Sequence, residues 1–258
     1  MEWTHHFYQR QNDLTGIYTG DIQDRHSQKA DLIKQHHPTA KTVLELGAGG
    51  GQMACASALA GYDVTAIELT SSLADHVQNL ANQHHIKNLK LLNDDFYTVA
   101  LSKKFDVITY WDGFGIGTDN DQIRLLKRCA SWLKPHGLIL MDIMTPWYWS
   151  QANGQTMTFG EAQRRYDFDA EMCRMLDTWW HTDSPEDKIT QSLRCYSPAD
   201  LRLLLQNTEL QVINIAETGG AVDYATGNYS PHVDLNQAMS YVAKIGFKAD
   251  TTPPHNSV

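Results

Sequence analysis

Apolar positions along the chain switch between two periods, and the switching outlines alternating strands and helices. Short apolar runs at 43–46, 63–69, 89–92, 105–111 and 138–143 have the length of buried strands. Between them lie helix-like segments: 52–60 closed by Gly61, a stretch from Ser71 or Ser72 to about His84, and one capped by Asp119 or Asn120 that runs through Ile123, Leu125, Leu126 and Leu133 to Pro135. Upstream, 24–36 carries Ala30, Leu32 and Ile33 at helical spacing and ends at His37-Pro38. Tyr8, Gly16 and Tyr18 precede it in a stretch with loop character, where aromatics serve as a lid or as a staple to the core.

Beyond residue 146 the pattern changes. Alternation at 165–168, 175–180 and 189–196 predicts short antiparallel strands. Ser197-Pro198 then caps a last helix, and 210–216 with 239–247 complete the main sheet as an antiparallel pair around a loop holding Tyr224, Tyr229 and His232. The expected fold class is α/β: a doubly wound, seven-stranded, mostly parallel sheet with an N-terminal helical cover and a small antiparallel sheet inserted after the fifth strand. The expected organisation is one domain, 1–258, comprising cover (1–40), nucleotide-binding core (41–146), inserted sheet (147–196) and closing elements (197–258).

The most informative local feature is Val43-Leu44-Glu45-Leu46-Gly47-Ala48-Gly49-Gly50-Gly51-Gln52, an apolar run that opens through a glycine turn into a helix. Glycines belong where backbone turns sharply and a ligand comes close. A dinucleotide fingerprint requires G-x-G-x-x-G, and here Gln52 stands where its third glycine belongs. The run at 63–69 ends in Glu68, about 20 residues past the turn, where nucleotide folds set a carboxylate against ribose hydroxyls. A third acidic site, Asn93-Asp94-Asp95-Phe96-Tyr97, follows the next strand.

The pattern Glu45-x-Gly47-x-Gly49-x-Gly51 resembles the first motif of class I S-adenosylmethionine (AdoMet) methyltransferases. Strongest over 41–146, the resemblance implies AdoMet as cofactor and S-adenosylhomocysteine as its product. It puts Glu45, Gly47, Gly49 and Gly51 at the methionine end, Glu68 with Leu69 at the ribose, and Asp95 at the adenine amino group with Phe96 over the ring. Asp94 stands where the family often has glycine. Trp111 and Asp112 would border the sulfonium and the acceptor, Asp112 binding either the methionine amine or the acceptor, and Tyr18 is the lid candidate. The inserted sheet resembles one that small-molecule methyltransferases carry between their fifth strand and last helix.

Composition narrows the partners. A net charge of −9 argues against nucleic acid, whose phosphates need clustered Lys and Arg. No run of 18 apolar residues and no basic-plus-apolar leader is present, so the expectation is a cytoplasmic protein that does not engage a membrane. Cys55, Cys129, Cys173 and Cys195 are widely spaced, which suggests no metal site. Nothing in the sequence fixes the oligomeric state. Tyr148, Trp149, Trp180 and Arg165, with Arg164 as an alternative to the last, are candidates for an acceptor pocket. Candidate catalytic groups are Asp112, His181 and His232. The function expected is methyl transfer to a small-molecule oxygen, nitrogen or carbon. Two alternatives stay open: another AdoMet reaction such as alkyl transfer or cyclisation, and a non-catalytic AdoMet-binding protein.

Overall fold

The computed structural model describes residues 2–248; residue 1 and residues 249–258, the ends of the expected domain, lie outside the described residues. In chain order the elements begin with α1 (Glu2–Thr15), α2 (Asp24–His36), β1 (Thr42–Leu46), α3 (Gln52–Leu59), β2 (Asp63–Glu68), α4 (Ser71–Gln83) and β3 (Leu89–Asn93). There follow β4 (Phe105–Phe114), α5 (Asp119–Trp132), β5 (Leu133–Met144), α6 (Pro146–Gln151), β6 (Thr156–Phe159), β7 (Ala162–Asp169), β8 (Arg174–His181) and β9 (Ile189–Arg194). The chain closes with α7 (Pro198–Leu204), β10 (Leu210–Thr218), β11 (Ala221–Asp223), β12 (Asn228–Ser230) and β13 (Ser240–Phe247).

The main sheet has seven strands in the order β10-β13-β5-β4-β1-β2-β3. Pairs among β1 to β5 are parallel, and β13 is antiparallel to both β5 and β10. Because successive side chains point to opposite faces, the buried runs split between two layers. Val43, Val64, Val107 and Leu140 pack under α2 and α3, whereas Leu44, Ile67, Ile108 and Met141 pack under α5 and α7. Strand order reverses between β1 and β4, and the carboxyl ends of strands at such a switch point open a crevice for ligands.

The second sheet, β6-β7-β8-β9, is antiparallel throughout and follows β5, as the sequence predicts. Its inner face joins β5 and α6 through Met144, Trp149, Tyr166, Met175 and Leu193. It also receives α1, whose Phe7 packs with Ala162, Trp179 and Ile189.

Three local expectations are corrected. Tyr8 lies on α1 rather than in a loop; the buried stripe Thr4, Phe7, Gln11 has helical spacing, but two of its three members are polar and hide the period. The cap of α5 is Thr118, which exchanges hydrogen bonds with Asp121, one residue ahead of the positions expected. The strand expected at 105–111 runs on to Phe114 as β4, through a break in register between Tyr110 and Phe114.

Candidate active site

A cavity lies at the switch point, bounded by the carboxyl ends of the strands and the N-terminal segment. Its floor is built from strand ends. Gly47 and Gly49 adopt φ of 60° and 54°, so the turn leaves β1 in the left-handed region that glycine tolerates. Glu68 at the end of β2 is buried, and its two carboxylate oxygens each accept a backbone N–H, Oε2 from Gly49 at 2.7 Å and Oε1 from Thr70 at 2.7 Å. These bonds tie the glycine turn to the end of β2, where Glu68 lines the cavity. Burial raises the Glu68 carboxyl, and the two N–H groups pull it back.

Past β3, Asp95 accepts from the N–H of Tyr97 at 2.7 Å and lines the cavity together with Phe96; Asp94 is exposed outside it. Phe96 packs edge-on against Tyr110, with centroids 5.5 Å apart. Leu69, Trp111 and Asp112 also line the cavity. Asp112 has φ of 57° and is the one non-glycine lining residue in the left-handed region among the described residues. It sits in the bulged part of β4, exposed to cavity water. Enclosure by the surrounding protein raises its carboxyl to about 7, the carboxylates of Asp142 and Asp177 add to the rise, and the Arg164 guanidinium opposes it.

The roof comes from the N-terminal segment, which packs in turn on the inserted sheet. Tyr8 and Tyr18 line the cavity, while Phe7 of the same segment ties it to that sheet. Tyr18 donates from its hydroxyl to Gln11 at 2.8 Å, and Gln191 of β9 donates to the Tyr8 hydroxyl at 2.8 Å. The backbone at 18–20 is clamped to the glycine turn: Gln52 Nε2 donates to the carbonyls of Tyr18 (3.0 Å) and Gly20 (2.8 Å). At Gly50 an added Cβ would lie 1.6 Å from the Tyr18 carbonyl oxygen, so the lid touches the turn where only glycine fits. Gly115 accepts from Arg194 N at 2.9 Å, which fixes the inserted sheet to the end of β4.

Nine expected cofactor residues therefore meet around one cavity: Tyr18, Gly47, Gly49, Glu68, Leu69, Asp95, Phe96, Trp111 and Asp112. Glu45 and Gly51 lie off the lining. Glu45 is 1 % exposed inside the protein, and burial pushes its carboxyl up to about 8 against a backbone hydrogen bond from Ala54. A Cβ on Gly51 would come 2.7 Å from Val77 of α4, so that glycine serves the packing of α3 on α4.

The expected acceptor pocket does not assemble from the residues chosen for it. Arg165 and Trp180 point outward from β7 and β8, where Arg165 pairs with Asp167 (2.9 Å) and Lys188 lies 4.8 Å from the Trp180 ring centre. The neighbouring Arg164 faces inward. It makes a two-pronged ion pair with buried Asp177 (both 2.7 Å) and stacks on Tyr166 and Trp179. The period-2 alternation was visible, but its phase was not, and a one-residue slip exchanges the faces. Tyr148 and Trp149 are buried core residues, bonded to Tyr224 and to the Met239 carbonyl. His181 sits beside Glu161 at the end of β8, and His232 is exposed near the Thr218 carbonyl; neither lines the cavity. Tyr110 is a lining residue that sequence reasoning missed, because it reads as ordinary strand core.

The pattern that defines a family described as "Methyltransferase domain" matches residues 18–215. The chain belongs to that family. As an AdoMet-dependent methyltransferase it has AdoMet as cofactor, and the arrangement of Glu68, Asp95 and an open glycine turn around one cavity fits that molecule. Among curated relatives, a protein arginine N-methyltransferase (PRMT10) of Arabidopsis thaliana is 29% identical over 157 residues, 60% of this chain and 38% of the relative. A ubiquinone biosynthesis O-methyltransferase of Coxiella burnetii is 31% identical over 102 residues, 40% of this chain and 43% of the relative. The matches thus span less than half the length of these two relatives. Among solved structures, the CcbJ methyltransferase of Streptomyces caelestis superposes with a TM-score of 0.71 at 18% identity, covering 88% of this methyltransferase and 91% of that chain.

Proposed function

We propose that this methyltransferase passes the AdoMet methyl to a small-molecule oxygen, nitrogen or carbon nucleophile held at the Asp112 end of the cavity. The observation that carries the reading is a single cavity at the strand ends, lined by Thr4 and Tyr8 of α1 and by Tyr18 on one side and holding three carboxylates, Glu68, Asp95 and Asp112. Such a site suits a small acceptor better than a chain segment, and the match to the arginine methyltransferase stops at 38% of that relative. The net charge of −9 speaks against nucleic acid. Among the described residues no helix is long and apolar enough to cross a membrane. Four free thiols suit a reducing compartment such as the cytoplasm.

In this reading Glu68 accepts from the ribose hydroxyls, Asp95 and Phe96 take the adenine, and Gly47 and Gly49 let the methionine end approach. AdoMet supplies a methyl already activated by a sulfonium leaving group. The protein then has to position the acceptor and exclude water, which Tyr8 and Tyr18 do from above. Calorimetric titration tests the cofactor end. Glu68→Ala should weaken AdoMet by roughly 1.5–3 kcal/mol, the worth of charge-assisted hydrogen bonds, and unchanged affinity would refute the ribose role. Incubation of labelled AdoMet with small-molecule extracts tests the rest. Binding without labelled product would select the sensor alternative, and methylthioadenosine in place of S-adenosylhomocysteine would select the other AdoMet chemistries.

A further inference from the structure

We propose that the acceptor is an amine, bound by the Asp112 carboxylate, and that Asp112 receives the proton the amine sheds before methyl transfer. The inference rests on the small-molecule reading and narrows it to one acceptor class.

The three carboxylates that line the cavity are not equivalent. Glu68 and Asp95 are engaged by backbone N–H groups that fix them in place. Asp112 accepts no hydrogen bond among the described residues, although its backbone is held in the left-handed region on a bulge that turns it into the cavity. Asp112 is exposed at the cavity lining with its acceptor capacity unspent.

The charge around it favours a cation. Among the described residues no Lys, Arg or His lines the cavity. The nearby guanidinium of Arg164 is matched by Asp177, and Lys29 is matched by Glu217 at 2.5 Å. Asp142 adds a further carboxylate whose Oδ1 has no partner. Tyr8, Tyr18 and Tyr110 offer ring faces and hydroxyls beside Asp112, a combination that suits an ammonium group.

The chemistry points the same way. An oxygen or carbon nucleophile is activated as an anion, which the Asp112 carboxylate would repel, and among the described residues no side-chain cation lines the cavity to offset that repulsion. An amine arrives as an ammonium, attracted by Asp112, and becomes nucleophilic by going neutral. The carboxylate takes one N–H proton, and the freed nitrogen lone pair forms the N–C bond. The S–C bond breaks with its electron pair left on sulfur, giving S-adenosylhomocysteine and a methylated ammonium. Asp112 releases its proton to solvent as the product leaves. The elevated Asp112 carboxyl suits a group that must accept and then return a proton near neutrality.

Three ligands of the same frame test the assignment by calorimetry without any acceptor: AdoMet, S-adenosylhomocysteine, and sinefungin, in which a carbon bearing a primary amine replaces the methylsulfonium. The wild type should bind sinefungin about tenfold or more tighter than S-adenosylhomocysteine, the effect of a charge-assisted hydrogen bond. Asp112→Asn, which keeps a side chain tolerant of the left-handed region, should bring that ratio to about one while S-adenosylhomocysteine binds as before. Equal wild-type affinities would overturn the proposal. Equal loss for all three ligands would put Asp112 on the methionine amine, and an equal fall in the AdoMet and sinefungin ratios would make it a partner for charge alone; either result overturns the proposal too. Failure of all three to bind the wild type would strike at the AdoMet site itself, a different outcome from any of these.

Discussion

Two glutamates at strand ends on neighbouring strands have opposite fates, and the difference is one of contacts. Glu68 reaches two backbone N–H donors and a cavity, whereas Glu45 is sealed in the core with its Oε2 unpartnered. A folded-state carboxyl near 8 against an ordinary value of 4.5 holds its proton more tightly when folded. The stability it contributes is therefore complete below about pH 4.5 and is lost as pH rises through about 8. Glu45→Gln keeps the shape and cannot ionise. Denaturant titrations should show the wild type losing up to about 1.4 kcal/mol per pH unit across that window relative to the variant. Parallel pH profiles for the two proteins would refute the buried, protonated state of Glu45.

At the level of elements, the phase of β7 sets which arginine matters. Arg164 is paired with a carboxylate that is 1 % exposed and is stacked between two rings, so Arg164→Met strands Asp177. Breaking a buried pair in this way costs roughly 3–5 kcal/mol. Arg165→Met removes only an exposed pair and should change stability by about 0.5 kcal/mol or less. Thermal melts of the two variants read the phase directly, and equal shifts would contradict the orientation of β7. Neither arginine could be preferred from the sequence, because alternation fixes which residues share a face but not which face is inside.

Across the whole molecule, α1 packs on the inserted sheet, with Tyr8 and Gln191 joined across 183 positions of chain, and the segment that follows α1 touches the glycine turn. The point of closest approach is Gly50 against the Tyr18 carbonyl. Gly50→Val should push the lid from the turn and weaken AdoMet by about tenfold or more, since the roof no longer excludes water, with far-ultraviolet circular dichroism unchanged. Limited proteolysis should then cut near residues 16–20. An uncut segment with native affinity would show that the lid contact is dispensable.

The sequence by itself determined the order of strands and helices from α2 to β5, the glycine turn, and the placing of Glu68 and Asp95-Phe96 at or just past strand ends. Each of these rests on local periodicity or on short spacing between neighbouring elements, which chain chemistry alone enforces. It also indicated the inserted sheet, through period-2 alternation. Only the tertiary structure decided that α1 closes the cavity, that Arg164 rather than Arg165 faces inward, that Glu45 and Gly51 serve the core, and that Tyr148, Trp149, Trp180, His181 and His232 lie off the cavity lining. Those outcomes depend on which faces of distant elements meet. Burial, charge pairing and the reach of a roof are properties of packed surfaces, and sequence spacing carries them only where the partners are near in the chain.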